Sequence, residues 1–209
     1  MRGDSTGKGA PQPTESQAED ARLIGKAQSG DRSALNALVR KHETRAYQFA
    51  FRLTRNPEEA ADVVAEGFVR VYNALPNFKG NSQFTTWLYR ILTNCYLDIR
   101  KKENRRPSVS LDSNIEVDDG DVERQVVDPK GTPLDSHIRL DRARKVNKAL
   151  EEMADFQRAM LLMYHAEDMS YEEIAEALDL PLGTVKSRLN RARLSLRELL
   201  TKDEELFRH

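Results

Sequence analysis

Hydrophobic side chains recur along the chain at intervals of three and four residues, the spacing that places them on one face of an α-helix. The first such repeat follows Asp31 and comprises Leu35, Leu38, Val39, His42, Ala46, Phe49, Ala50 and Leu53. Asn56 then provides an N-cap and Pro57 a first-turn proline, so a second helix is predicted from there to Leu75, ahead of Pro76. No segment alternates as a β-strand does, so the pattern predicts an all-α protein.

Further helices follow the polar loop 77–83. The next helix has its apolar positions at Trp87 or Leu88, Ile91, Cys95 and Ile99. Two more are predicted over residues 136–153 and 155–164. Ser170 and Glu173 then match a capping box that starts another helix, and a turn at 179–183 separates it from a last helix beginning at Thr184. A helix, a short turn and a helix are the layout of a DNA-reading motif.

Composition and charge divide the chain into segments. Residues 1–20 contain almost no aliphatic side chains and predict a disordered leader. Residues 21–106 carry 16 basic and 8 acidic side chains, whereas residues 107–135 carry 2 and 8 among several prolines and glycines. Residues 136–203 form a second module, followed by a tail at 204–209. The sequence therefore predicts two small helical modules joined by a flexible acidic linker, at least one of which meets a polyanion.

Several classes of protein are excluded by what the chain contains. It has one cysteine, Cys95, and four histidines without ligand spacing, which argues against disulfides, a zinc site and other metal cofactors. No apolar run is long enough to span a membrane, and the N-terminus has no secretory core, so a cytoplasmic location is expected. No nucleophile–base pair, paired carboxylates or phosphate loop points to an enzyme or to an organic cofactor.

The last helix separates its residue types by face. Val185, Leu189, Ala192 and Leu196 form an apolar seam, and no acidic residue lies between Leu182 and Arg197. The other faces carry Thr184, Lys186, Ser187, Arg188, Asn190, Arg191, Arg193 and Arg197. Arginine can pair with guanine and asparagine with adenine, so this face predicts contact with duplex DNA, although an ordinary solvated helix has a similar pattern.

The loop before the third helix carries groups that bind single-stranded bases. Aromatic, amide and hydroxyl side chains surround Gly80 next to a helix that ends in five basic residues. Aromatic faces stack on bases, and a loop of this kind can hold a base that has left the stack. Phe84, Trp87 and Leu88 can instead be core residues, and for Trp87 the core interpretation is favoured. Burial is harder to justify for Phe78, Asn81 and Ser82, which predicts that these three serve the nucleic acid.

Two motifs in the chain, and the order in which they occur, resemble those of an extracytoplasmic-function RNA polymerase sigma factor, group 4 of the sigma-70 family. Asp62–Tyr72 and Phe78–Ile91 are similar to region two of that family. Ser170–Ala175 and Gly183–Arg193 resemble the helix-turn-helix of region four. The resemblance spans residues 21–106 and 136–203. It implies a transcription initiation factor that binds core polymerase, reads the −35 and −10 promoter elements and assists melting.

The resemblance assigns expected roles to individual residues. Polymerase docking on the β′ clamp helices would involve Asp62, Glu66 and Arg70, next to Ala65, where many members of the family have glutamine. The −10 element would be held by Phe78, Lys79, Asn81, Ser82, Arg90, Asn94, Lys101 and Arg105. The −35 element would be read by Thr184, Lys186, Ser187, Arg188, Asn190, Arg191 and Arg193, with Arg188 and Arg193 on phosphates. Further implied partners are the polymerase β flap and an anti-sigma factor.

Two alternatives stay open at this point. The acidic linker either threads through the polymerase, as in the family, or is a generic tether. The whole chain could instead be a one-component helix-turn-helix regulator whose N-terminal module senses a ligand or dimerises. The excess of eight basic charges over residues 21–106 disfavours a sensor module.

Overall fold

The computed structural model describes residues 14–103 and 133–201, with the backbone alone for 133–139. Throughout these ranges the regular elements are helices, which confirms the all-α prediction. They are α1 (Glu15–Gln28), α2 (Arg32–Thr54), α3 (Pro57–Ala74), α4 (Phe84–Glu103), α5 (Pro133–Glu151), α6 (Asp155–His165), α7 (Tyr171–Leu178) and α8 (Leu182–Thr201), with a 3-10 turn at Leu75–Asn77. We call α1–α4 the N-terminal module and α5–α8 the C-terminal module.

The caps that the sequence predicts are formed. The Asn56 Oδ1 atom accepts hydrogen bonds from the amides of Glu58 and Glu59, ahead of which Pro57 begins α3. The helix then packs closely against α4 at Gly67. A Cβ atom added to this residue would lie only 2.6 Å from Leu92 Cδ2. Glycine at this position lets the two helices approach each other.

Helix α1 corrects the prediction of a disordered leader. Thr14 and Gln17 form a capping box at its start, so the leader prediction is wrong from residue 14 onward, while residues 1–13 lie outside the described ranges. The helix is fixed to α2 by buried Asp20, whose Oδ1 lies 3.0 Å from His42 Nε2 and 2.7 Å from Lys41 Nζ. Polar pairing and the burial of Ile24 therefore hold this helix together.

The C-terminal module has the predicted helix-turn-helix. The amide of Glu173 donates to Ser170 Oγ, and the amide of Ser170 donates to Glu173 Oε2, which confirms the capping box. The last helix begins at Leu182, two residues earlier than predicted, and buries Val185, Leu189 and Ala192. Helix α5 begins at Pro133, so it takes in the last residues of the predicted linker, whose residues 107–132 lie outside the described ranges.

The two modules are packed together, with α6 and α7 against α2 and α4. Arg158, which is 4% exposed, lies at this junction. Its guanidinium donates to the carbonyls of Leu150, Glu151 and Met153 in its own module and to that of Leu53 at the end of α2. A cation therefore caps the C-terminal ends of two helices from different modules.

A second polar contact adjoins Arg158. The Tyr96 hydroxyl donates to Asp155 Oδ1 at 2.5 Å and accepts from the Arg158 guanidinium at 3.2 Å. Burial, followed by the bond to Asp155, raises the pKa of Tyr96 to about 12, so its hydroxyl remains a donor at neutral pH.

No helix in ranges 14–103 and 133–201 has the length and apolar character needed to cross a membrane.

Candidate nucleic-acid interface

Helix α8 presents a basic face on the side opposite its buried seam. Lys186, Ser187, Asn190 and Arg191 are exposed, and Thr184 is half-buried at the first turn. These side chains are free to enter a groove of duplex DNA, because the seam holds α8 against the rest of the C-terminal module.

Two arginines of α8 are positioned by aromatic rings. The Arg188 guanidinium lies 5.2 Å from the centroid of Phe156, and that of Arg193 lies 4.6 Å from the centroid of Tyr164. The second ring stacks on Tyr171, whose hydroxyl is 3.5 Å from Arg193 Nη1. Arg188 remains exposed, whereas Arg193 is half-buried and faces α6 and α7. This aromatic support was not predicted from the sequence, although Tyr164 precedes the capped helix and Tyr171 is its first residue.

The loop after α3 and one stripe of α4 lie next to each other. Lys79 and Asn81 are exposed, Ser82 is half-buried, and Gly80 has a positive φ of +69° that favours glycine. Along α4, half-buried Arg90 and the exposed residues Asn94 and Lys101 follow at spacings of four and seven, which places them on one face. Arg105 lies outside the described ranges.

Phe78 differs from the sequence-based expectation. Its ring is half-buried and packs at 4.6 Å between centroids against Trp87 and at 6.5 Å, edge-on, against Phe84. Its partial burial, which is hard to justify from the sequence, is explained by the aromatic surface that α4 supplies, and its contact with the −10 element stays a prediction. The Gln28 side-chain amide of α1 also donates to the carbonyls of Leu75 and Phe78 at 3.0 and 2.7 Å. The missed helix α1 thus fastens the start of the loop.

The three predicted docking residues share one face of α3. Arg70 donates to Glu66 at 2.8 Å and to Asp98 of α4 at 2.9 Å, and these bonds raise its pKa further above its ordinary value. Asp62 is exposed at the other end of this face. Glu66 and Asp98 therefore hold Arg70 in place from α3 and α4.

Apolar side chains that the sequence analysis overlooked accompany this face. Val69 and Tyr72 are 55% and 56% exposed, and Ala65 is exposed between them and Asp62. A groove of about 450 Å³ runs between this face and α4. Cys95 adjoins it but is fully buried, which confirms its prediction as a core residue, and burial raises the pKa of its thiol to about 11.

The C-terminal module has an apolar groove of its own. It holds about 350 Å³ and is lined by Leu161, His165, Arg193, Leu196, Arg197, Leu200 and Thr201. Three of these residues are leucines and two are arginines. Such a groove is suited to an amphipathic helix that carries acidic residues.

Comparison with known proteins matches both modules. A family model described as sigma-70 region 2 matches residues 38–106, and one described as sigma-70, region 4 matches residues 143–196. The ECF RNA polymerase sigma factor SigW of Bacillus subtilis is 33% identical over 179 residues, which cover 85% of this chain and 94% of the relative. The RNA polymerase sigma-H factor of Pseudomonas aeruginosa is 32% identical over 190 residues, covering 88% and 95%.

A solved structure agrees with the fold of both modules. The structure of CnrH in complex with the cytosolic domain of CnrY is 26% identical and aligns with a TM-score of 0.62 over 88% of this chain and 99% of its own. The matches cover both motifs, in the same order and over almost the full length of the relatives. The chain therefore belongs to the extracytoplasmic-function family of RNA polymerase sigma factors.

Proposed function

We propose that this sigma factor binds core polymerase and the two promoter elements through three different surfaces. The acidic and apolar face of α3 docks on the β′ clamp helices of core polymerase, the loop 78–82 with the α4 stripe binds the −10 strand, and the exposed face of α8 reads the −35 element. The observation that carries the proposal is the separation of these surfaces. The α8 face belongs to the C-terminal module, whereas the other two surfaces belong to the N-terminal module, where Asp98 binds Arg70 of α3 and Arg90 lies about two helical turns earlier on α4.

The chemistry of each surface suits its partner. Val69 and Tyr72 offer apolar area beside the charges of Glu66 and Arg70, which is the mixture that protein interfaces use. The polar loop beside a basic stripe suits a single strand. A fourth surface, the leucine-lined groove of the C-terminal module, suits the polymerase β flap. The protein then acts as a binding factor in the cytoplasm, where polymerase and promoter DNA are found, and catalysis is performed by the polymerase.

Transcription with purified components tests this function. Added to core polymerase, the protein should direct initiation from specific promoters on genomic fragments, whereas without polymerase it should bind promoter duplexes poorly. The control variant Glu66→Arg should remove the effect by placing a like charge beside Arg70 on the docking face. Tight, specific binding to a palindromic duplex without polymerase would contradict the proposal and support the regulator alternative.

Two arginines of α8 should fail in different ways. Arg191→Ala should lose about 1–3 kcal/mol at one −35 base pair, because an exposed arginine can pair with a guanine. Arg193→Ala should instead remove the stacking on Tyr164 and lower the free energy of unfolding by about 1 kcal/mol. It should weaken binding to all DNA sequences to the same extent. Holoenzyme binding to duplexes altered one position at a time, together with thermal unfolding, measures both.

The same two variants also show whether the roles of Arg191 and Arg193 have been assigned wrongly. Arg193→Ala that shifts the preferred base at one position, with unchanged stability, would show that Arg193 reads DNA. Arg191→Ala that weakens every duplex equally would show that Arg191 holds a phosphate.

A further inference from the structure

A row of carboxylates begins at the end of α6 and continues along α7. Its members are Glu167, Asp168, Glu172, Glu173, Glu176 and Asp179. No lysine or arginine occurs in the sequence between residues 166 and 185. The first helix of the DNA-reading motif is therefore strongly acidic, and we call residues 167–179 the acidic segment.

The acidic segment lies against α4 of the N-terminal module. Glu167, whose side chain is only 5% exposed, accepts from Arg52 at 2.9 Å and from the hydroxyl of Tyr89. Asp179 Oδ2 lies 3.9 Å from Arg90 Nη2, at the beginning of the basic stripe. The segment therefore contacts a residue assigned to the −10 strand.

A polar cavity between the modules extends this contact toward the −10 loop. It has a volume of about 200 Å³ and is lined by Arg45, Gln83, Thr85, Thr86 and Tyr89 on one side and Glu167, Asp168, Met169 and Glu173 on the other. Gln83 and Thr85 immediately follow the loop that holds Asn81 and Ser82. The acidic segment thus adjoins the proposed −10 site at Arg90 and at the residues that follow its loop.

We propose that the acidic segment is an internal competitor of the −10 strand and keeps the free protein from binding single-stranded DNA. This inference rests on the proposed function of loop 78–82 and the α4 stripe. Carboxylates facing Arg90 and Arg45 provide the negative charge that DNA phosphates would otherwise bring to the same groups. A strand can occupy the site only after α7 leaves it.

The junction is built so that it can open. When the modules separate, Arg158 loses its bonds to Leu53 and Tyr96 but keeps three carbonyl partners within its own module. Arg52 is 43% exposed and becomes hydrated. Separation therefore leaves neither guanidinium without a partner, and the closed and open forms are both compatible with a folded C-terminal module.

The double variant Glu167→Gln, Asp179→Asn tests the proposal in the full-length protein. Both changes preserve size, and asparagine tolerates the left-handed backbone of position 179, where φ is +53°. Binding is measured by fluorescence anisotropy with single-stranded oligonucleotides carrying a randomised six-base centre. Loss of both ion pairs should tighten binding about tenfold by increasing the open population.

Energy transfer between dyes reports the opening itself. Cysteines at the exposed positions Glu43 and Glu198 provide one label in each module, and buried Cys95 stays unlabelled. Transfer should fall in the double variant. The matched control Glu172→Gln, Glu176→Gln removes two exposed charges from the same helix and should leave transfer and binding close to those of the wild type.

Arg52→Gln tests the same contact from the opposite side. Losing a positive charge weakens nucleic-acid binding in general. Arg52→Gln should nevertheless tighten the binding of single-stranded DNA, because Glu167 loses its partner and the modules separate more easily. Weaker binding by Arg52→Gln would overturn the proposal. Unchanged energy transfer in the double variant, or opening without tighter binding, would also overturn it.

A further pair of changes separates this inference from the proposed function. Adding Asn81→Ala and Ser82→Ala to the opened protein should remove the gain in binding. If the gain survives these changes, α7 does compete with DNA, but the −10 site has been assigned to the wrong loop. If transcription with core polymerase proceeds normally while opening has no effect on strand binding, the proposed function stands and the internal competitor is refuted.

Discussion

Arg158→Leu is expected to lower the free energy of unfolding by about 3–5 kcal/mol, the range found when a buried charge network loses one member. The reason lies in the partners of Arg158. Four backbone carbonyls accept from its guanidinium, and three of them belong to residues 150–153 at the end of α5. Leucine fills similar space but leaves these carbonyls without a donor, and each unpaired buried group is costly.

Urea unfolding followed by circular dichroism measures this loss. Arg40→Leu, which replaces an exposed arginine of α2, is the matched control and should change stability by no more than about 0.5 kcal/mol. The loss of stability in Arg158→Lys should lie between those of Arg158→Leu and Arg40→Leu, because one ammonium group cannot reach all the carbonyls that the guanidinium does. A loss below about 1 kcal/mol in Arg158→Leu would show that water replaces the guanidinium.

Changing Asn81 and Ser82 together to alanine is expected to slow promoter melting about 10- to 100-fold while folding stays nearly intact. Each side chain can hydrogen-bond to an extruded base, and the loss of two such bonds accounts for a change of this size. Asn81 is exposed and Ser82 half-buried in a loop without helical structure, so stability should shift by no more than about 0.5 kcal/mol.

Permanganate reactivity of unpaired thymines around the −10 element follows melting directly. Closed-complex formation should survive, since docking and −35 reading use other surfaces, and a pre-opened bubble template should restore part of the activity. Asn73→Ala with Asn77→Ala, two exposed polar residues just before the loop, provides the matched control. Melting at the wild-type rate in Asn81→Ala, Ser82→Ala would show that the loop only connects α3 to α4.

Short-range signals were sufficient to predict most helices and the helix-turn-helix. Asn56 with Pro57, and Ser170 with Glu173, act on backbone groups two or three residues away, so the sequence displays both the cap and what it caps. The seam of α8 is equally local, because a period near 3.6 determines which side chains share a face. The residues of the two DNA surfaces could be nominated for this reason.

Helix α1 marks the limit of such reasoning. Its capping box, Thr14 with Gln17, is visible in the sequence, yet the following residues have too few apolar side chains to predict burial. What orders the helix is Asp20, which is paired with Lys41 and His42 more than twenty residues later, together with the burial of Ile24 in the core. That pairing also brings Gln28 within reach of the Phe78 carbonyl.

The sequence by itself determined helices α2 to α8 and the basic face of α8, because those properties depend on neighbours within about one helical turn, and the two motifs indicated the family. Tertiary structure alone decided that the modules meet, that the acidic segment covers α4 and that Phe78 packs on Trp87. Arg158 illustrates the physical reason: its partner carbonyl on Leu53 is 105 residues away, and every residue has a carbonyl. Which of these groups is left unpaired, and which cation reaches it, depends on how the helices pack.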